Sequence, residues 1–305
     1  MGTQFTLRHY VPETDLPTLS RMLTEVEAHD HDGENTSEEY LRSMETWPNF
    51  DPDKNIWVAE VGVQMVGFGQ ILPKQAGLCS ASVTVHPSWR QRGLGSQLFD
   101  LLLKRTHETQ SKTMRTYANG YNHAGTAFLL KNGFSAIGQS GALFLPVAEL
   151  PAVEFPTGYS LRRYRDSSDA ASLTQALNAC YRGMWGHQQE VDSADGYVEY
   201  YGREGIHLLF DPDGDVVSVC AAKPAGKQNE RGISDLLDAP GVVQQHRHED
   251  FQRPLVLAVM HWLRKQGERS VTLEFWGETE KALQAYRDLG FTQVTQLLSY
   301  QKELA

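Results

Sequence analysis

The sequence predicts an α/β protein, of α+β character, built from two tandem domains that repeat one pattern. Each domain is expected to be a mixed, partly antiparallel sheet flanked by helices. Three observations lead there. Phe5-Thr6-Leu7-Arg8-His9-Tyr10 returns as Tyr159-Ser160-Leu161-Arg162-Arg163-Tyr164, and the echo runs on at the same offset through Asp15 and Asp169, then Leu19 and Leu173. Both halves close alike, on Gly133-Phe134 and Gly290-Phe291. The chain's 305 residues also exceed a usual domain of roughly 100–200 residues.

The elements follow the same order in each half. The opening hexamer reads as a short strand, followed by a turn and a helix capped near its Asp. In the first half, residues 56–60 and 65–72 form a hairpin pattern. In the second half, residues 207–210 and 216–221 flank Asp211-Pro212-Asp213-Gly214-Asp215, a strong turn signal. A strand, a loop and a helix come next, the first such helix starting near Gln97. Leu98, Phe99, Leu102 and Leu103 mark its apolar face, and Val256, Val259, Met260 and Leu263 mark that of its counterpart. Strands at 113–118 and 270–275 precede a last helix, which the Gly-Phe stops and turns into a strand. Pro146, Pro151 and Pro156 make residues 146–156 a linker with its boundary near 153, giving domains 1–150 and 157–305.

Composition narrows the class. Apolar residues make up 40% of the chain, enough for each half to bury a core. Cys79, Cys180 and Cys220 are widely spaced and form no CxxC pair, which fits a reducing, cytoplasmic setting. The first residues carry no basic-then-apolar leader, and no window approaches the ~20 apolar residues of a membrane span. The net charge of −10 speaks against a nucleic-acid partner and, as a weak field effect, favours a cationic substrate.

Against that acidic background one stretch stands out. Val83-Thr84-Val85-His86-Pro87 leads into Ser88-Trp89-Arg90-Gln91-Arg92-Gly93-Leu94-Gly95-Ser96 and then a helix. A helix N-terminus has unpaired backbone N–H groups and partial positive charge, which suit a phosphate. Gly93 and Gly95 let the backbone approach it, and Arg90 and Arg92 add full charges. The stretch therefore reads as a pyrophosphate cradle. A dinucleotide fold is excluded because the third glycine and the ribose-binding acid are missing, and a Walker loop because Gly-Lys-Ser/Thr is absent.

The set Val85-His86-Pro87, Arg90-Gln91-Arg92-Gly93-Leu94-Gly95-Ser96, with Asn122 eleven residues before Gly133, resembles the acetyl-CoA loop and second motif of the GNAT N-acetyltransferases. The resemblance covers residues 5–140, and the second half resembles the same fold, so the chain looks like a tandem GNAT protein. It implies acetyl-CoA as cosubstrate and no metal. It implies backbone contacts to the pantetheine arm along Val83, Thr84 and Val85, and pyrophosphate on the N–H groups of Gln91 to Ser96. Asn122 would touch the cofactor arm. An amine of a small molecule would attack the thioester directly, which requires it to be deprotonated and the departing thiolate to gain a proton. No nucleic acid or membrane partner is implied, and a homodimer is allowed.

The first half departs from the family pattern at its acid and its base. The proton-donating Tyr belongs four residues before the Gly of Gly-Phe, where this chain has Leu129. Tyr117, Tyr121 and His123 are the substitutes at hand, and Tyr121 is the choice. The strand before the loop offers Ser80, Ser82 and Thr84 but no carboxylate. The alternative is the run Glu25-Val26-Glu27-Ala28-His29-Asp30-His31-Asp32-Gly33-Glu34, which recognises an amine or relays its proton, with Glu27 as the base; its other reading is a solvated acidic loop.

The second half inverts this. Arg247 matches Arg90, but Asp250 and Gln252 occupy the glycine positions, where a carboxylate would face a diphosphate. Tyr286 does stand four residues before Gly290. The second half is therefore expected not to bind acetyl-CoA, with Trp185, His187, Trp262 and Trp276 either lining a cleft or packed in its core. The competing readings are a non-catalytic CoA-binding sensor and an acetyltransferase acting on a protein or peptide amine.

Overall fold

The computed structural model describes residues 5–44, 50–74, 77–146, 149–187, 190–224 and 236–304. They form two compact units. Unit 1 runs to Ile137 and adds the stretch from Leu298, and unit 2 is Gly138–Leu297.

Unit 1 contains β1 (Thr6–His9), α1 (Pro12–Asp30), α2 (Glu38–Met44), α3 (Pro52–Asn55), β2 (Ile56–Val61), β3 (Gln64–Pro73), β4 (Leu78–Val85), α4 (Leu94–Glu108), β5 (Thr113–Asn119), α5 (His123–Lys131) and the start of β6 (Ser135–Pro146). Unit 2 continues β6 and adds β7 (Ser160–Arg163), α6 (Ala170–Cys180), α7 (Asp195–Tyr201), β8 (Ile206–Phe210), β9 (Val216–Lys223), β10 (Leu236–Asp238), β11 (Gly241–Val242), α8 (Gln252–Lys265), β12 (Ser270–Trp276), α9 (Glu280–Asp288) and the start of β13 (Thr292–Glu303). Strand order in unit 1 is β1-β2-β3-β4-β5 followed by β13. In unit 2 it is β6-β12-β10-β9-β8-β7, with β11 also on β9. Each sheet is antiparallel apart from one parallel pair, β4 with β5 and β10 with β12, among the pairings described.

The linear division at residues 150 and 157 differs from this one in two strands. Residues 140–146 of β6 pair along the whole of β12, from Ser140↔Trp276 to Pro146↔Ser270. The end of β13 returns to β5, where Thr113 Oγ1 donates to Glu303 at 3.0 Å and Arg115 Nε to Gln301 at 2.8 Å. Each half thus sends its closing strand into the sheet of the other. Residue alternation along a strand fixes which face is buried, not which neighbour it takes.

The repeated hexamer has a physical meaning. The Arg8 guanidinium holds Asp15 through two bonds of 2.5 and 2.9 Å, and Arg162 holds Asp169 through two of 2.7 and 2.8 Å. The same carboxylates accept the N–H of Val11 and of Arg165, each at 2.8 Å. The aspartates therefore do not cap the helices, as the sequence suggested. They fasten the first strand to the turn that leads into the helix. Burial works against the charge on Asp15, but Arg8 more than offsets it, and Arg162 holds the Asp169 carboxyl below the usual range.

The apolar stripes are core. Leu94, Leu98, Phe99 and Leu102 of α4 are buried on the sheet of unit 1, with Leu103 partly so. Val256, Val259, Met260 and Leu263 of α8 are fully buried in unit 2. Helix α4 begins at Leu94 rather than near Gln97. It lies so close to β3 that a Cβ on Gly67 would stand 3.0 Å from Leu94 Cδ2 and 3.1 Å from Leu98 Cδ1. No helix among the described residues is long and apolar enough to cross a membrane.

Asp169→Asn should destabilise the chain by roughly 1.5–3 kcal/mol in urea unfolding at pH 7, the range for a hydrogen bond to a charged group. Because the folded carboxyl sits low, this stabilisation is present above the unfolded value near ~4 and is lost as pH falls. The gap between wild type and variant should therefore narrow in acid.

Candidate active site

Strands β4 and β5 pair over only three residues, Leu78↔Thr113, Cys79↔Met114 and Ser80↔Arg115, and then part. Strand β4 stays paired with β3 up to Gly67↔Val85. The His86 N–H donates to the Val66 carbonyl at 3.0 Å, toward β3. Backbone groups alternate along a strand, so those of Val83 and Val85 turn to the opposite edge, the one that has parted from β5, while those of Thr84 face β3. A slot lined by main-chain donors and acceptors results.

The loop closes the top of that slot. Gln91 and Gly93 both adopt left-handed backbone, with φ of 57° and 81°. Only glycine takes that shape freely, which explains Gly93. The first helical bond of α4 is Gln97 N–H to the Gly93 carbonyl at 3.2 Å. The N–H groups of Gln91, Arg92, Gly93, Leu94, Gly95 and Ser96 have no acceptor among the described residues. Gly95 needs no glycine for the protein's own packing, since an added Cβ would meet Phe128 and Val85 at an ordinary 3.8 Å. Open backbone donors and an unfilled surface above them fit a diphosphate.

The two arginines behave differently. Arg90 Nε donates to the Val85 carbonyl at 2.9 Å, and its fork grips Asp30 at the end of α1, one arm at 2.8 Å. Its charge is committed inside the protein. Arg92 is exposed and stacks over the Trp89 ring at 4.7 Å, so it is the loop cation left for a ligand.

Asn122 caps α5: its side-chain oxygen accepts the Gly125 N–H at 2.8 Å, and its amide nitrogen has no partner among the described residues. Tyr121 is 63% exposed beside it, and its hydroxyl makes no hydrogen bond among the described residues. Leu129 packs against the core of unit 1.

The acidic run is ordered by its own bonds. Glu27 accepts the N–H groups of Gly33 and Glu34 at 2.9 and 3.2 Å, Glu25 meets His86 Nε2 at 3.1 Å, and Glu34 accepts the Tyr117 hydroxyl at 2.9 Å. Asp30 is held by Arg90, which outweighs burial and keeps its carboxyl low. Asp32 alone among the five has no hydrogen-bond partner among the described residues, and it is half-buried. Burial and the neighbouring Asp30, Glu27 and Glu34 raise its carboxyl above the usual range. Tyr117, on the parted end of β5, is pushed up by burial and by Glu34.

Unit 2 repeats the scaffold with other chemistry. Arg247 Nε donates to the Val242 carbonyl at 3.1 Å, as Arg90 does to Val85, but its fork takes the Cys180 and Arg182 carbonyls at 3.0 and 3.1 Å. Neither His248 nor Asp250 is left-handed, and Phe251 is fully buried under the loop. Asp238 ends β10, which lies before β11 and this loop, and accepts the Tyr197 hydroxyl at 3.4 Å. Protein surrounds its carboxyl closely, and the residue as a whole is half-buried. Glu278 is 6% exposed and neither of its oxygens has a hydrogen-bond partner among the described residues; the hydroxyl of fully buried Tyr286 has none either. Burial raises both carboxyls to about 7, aided for Asp238 by the charges of Glu278 and Glu274. Trp185 packs on Gly138 and Gly277, and His187 stacks on Tyr181 at 4.1 Å and donates to the Trp276 carbonyl at 2.9 Å.

A family model described as an acetyltransferase (GNAT) domain matches residues 52–136, the span from α3 through the loop to the start of β6. A tandem GNAT protein from the clavulanic acid biosynthesis pathway superposes with a TM-score of 0.54 at 17% identity, covering 99% of each chain. Over its whole length this chain has the fold of a tandem GNAT protein. A GCN5-related N-acetyltransferase from Sphaerobacter thermophilus has the same fold, with a TM-score of 0.66, 18% identity, and 98% and 96% of the two chains covered. Two mycothiol acetyltransferases are similar in sequence. That of Sanguibacter keddieii is 26% identical over 76% of each chain, and that of Rhodococcus erythropolis is 27% identical over 80% of this chain and 83% of its own.

Residue types and spacing could point to Asn122 and the loop, but not to Asp32, Asp238 or Glu278. Their isolation depends on which neighbours the fold supplies. Glu278→Gln tests the buried acid. Its folded value near 7 lies above the unfolded one near ~4.5, so the charged form is penalised and stability declines as pH rises between the two. Relative to wild type, the variant should gain stability from pH 5 to pH 8 in urea titrations.

Proposed function

We propose that the chain is an N-acetyltransferase that moves acetyl from acetyl-CoA to an amine of a small molecule by direct attack, with the cofactor held by unit 1. The observation that carries this is the unbroken run of unpartnered N–H groups from Gln91 to Ser96 at the mouth of the slot between β4 and β5. Those groups would hold the diphosphate with Arg92 beside them, Val83 and Val85 would bond the pantetheine arm, and the Asn122 amide would face it. Acetyl-CoA brings a thioester carbon open to an amine. The mycothiol acetyltransferases, named for a small molecule, support an acceptor of that size.

Asp32 is the residue we assign to the acceptor. An ammonium drawn to this acidic corner would give its proton to a carboxyl whose affinity for protons is already raised. Glu27, the base suggested by sequence, shapes the loop instead, and Tyr117 positions Glu34. Tyr121 remains the assigned donor to the departing thiolate.

A second reading rests on Asp238 and Tyr286. They occupy, in unit 2, the strand and helix positions where the family keeps its base and acid. In that reading transfer occurs in unit 2, and unit 1 is a cofactor-binding partner.

Calorimetry with acetyl-CoA should give one site per chain, lost in Gly95→Trp, whose indole would fill the cradle. Two sites would favour the second reading, and none would refute the proposal. In an amine-panel assay, Asp32→Asn should lower kcat at least tenfold with little change in acetyl-CoA affinity. A loss confined to Asp238→Asn would move the chemistry to unit 2.

A further inference from the structure

The two copies of the fold can be compared position by position, and they diverge sharply on one face away from the loop. In unit 2, β7, β8 and α8 enclose a groove of about 390 Å³. Arg162, Arg163 and Lys265 line it, with Leu161, Trp262 and His207, and no acidic residue does so. In unit 1 the matching positions are occupied by contacts of the protein's own. His9 and Trp57 pack ring to ring at 4.8 Å, and Arg105 reaches Asn55 at 2.9 Å and Glu108 at 2.6 Å.

Charge changes with shape. Arg8 is balanced by two carboxylates, Asp15 and Glu60. Thr6 pairs with Glu60 as Ser160 pairs with Phe210, so Phe210 holds the place of Glu60, and the Arg162 guanidinium lies over its ring at 4.2 Å. Glu108, the last residue of α4, corresponds to Lys265, the last of α8. One carboxylate has become a ring and another an ammonium. Lys265 has no ion pair among the described residues, and Arg163 pairs only with the exposed Glu204. Lys265 is therefore the groove cation without a carboxylate partner among the described residues, beside Arg162, held by Asp169, and Arg163, held by Glu204.

The walls add recognition. Trp262 forms an apolar wall, its indole N–H shut off from water and so also out of a ligand's reach. His207 is 4% exposed, stands edge-on to Trp262 at 5.4 Å, and donates from Nδ1 to the Gly205 carbonyl at 3.1 Å. Burial lowers it to about 4, so it is neutral and the cations are the arginines and Lys265.

We infer that this groove of unit 2 binds a small organic anion, a carboxylate or phosphate ester with a flat apolar part. The acid group meets Lys265 and Arg163, and the apolar part lies along Leu161 and Trp262. Its volume falls in the usual range for small-ligand pockets.

The test uses the full chain with phenyl phosphate, benzoate and uncharged benzyl alcohol at fixed ionic strength, read by calorimetry and tryptophan fluorescence. One of the two anions should bind saturably at one groove site, at least tenfold more tightly than benzyl alcohol. The choice between phosphate and carboxylate falls to the tighter arm. Lys265→Glu, at an exposed helix end, should weaken it at least tenfold, as should Arg163→Gln. Glu108→Gln in unit 1 and Gly95→Trp in the loop should leave it unchanged, which separates this site from the cofactor cradle. Failure of both anions to saturate, equal binding of benzyl alcohol, or insensitivity to Lys265→Glu would overturn the inference, while acetyl-CoA binding would be untouched.

Discussion

Arg90 fixes the geometry on which the site of unit 1 depends. Its Nε holds the last carbonyl of β4, and its fork holds Asp30 where α1 ends. One side chain thereby sets where the strand stops, where the loop starts and how far the acidic run stands from both. Arg247 makes the same strand-end bond but reaches neutral carbonyls beyond α6. The recurrence in a copy without glycines shows that the arginine serves the fold; Gly93 serves it too, through its left-handed backbone, whereas Gly95 meets no packing need of the protein's own.

The two copies of the pattern keep different parts of the site. Unit 1 keeps the backbone donors and has replaced the helix tyrosine with Leu129, a packed side chain. Unit 2 keeps Tyr286 and sets Asp238 and Glu278 near it in a setting that resists charge. A buried carboxylate without partners is a cost that packing alone would remove by substitution. Unit 2 therefore carries its acids in spite of stability, a pattern usual at sites that act on ligands.

Much was legible in the chain because it was local. The strand-loop-helix at 83–96, the helix faces and the echo of the opening hexamer all rest on neighbours in sequence, and the structure keeps them. Long-range facts were not legible. Nothing in β6 or β13 states which sheet each will join, and nothing in Arg90 states that Asp30 will absorb its charge. Among the five acids from Glu25 to Glu34 the sequence pointed to Glu27, and only the fold's hydrogen bonds set Asp32 apart from it. The open groove of unit 2 is invisible for the same reason, since it exists by contrast with a filled counterpart.

The exchange of closing strands binds the two copies into one fate. Residues 298–304, which complete the sheet edge beside β5, follow the whole of the second half in the chain. As the chain emerges from the ribosome, the first copy must wait with an exposed strand edge until the second has been made. Such an ancestor could have arisen by joining two self-sufficient folds. Its descendant can no longer be cut back into them, and selection acts on the pair as a single heritable unit.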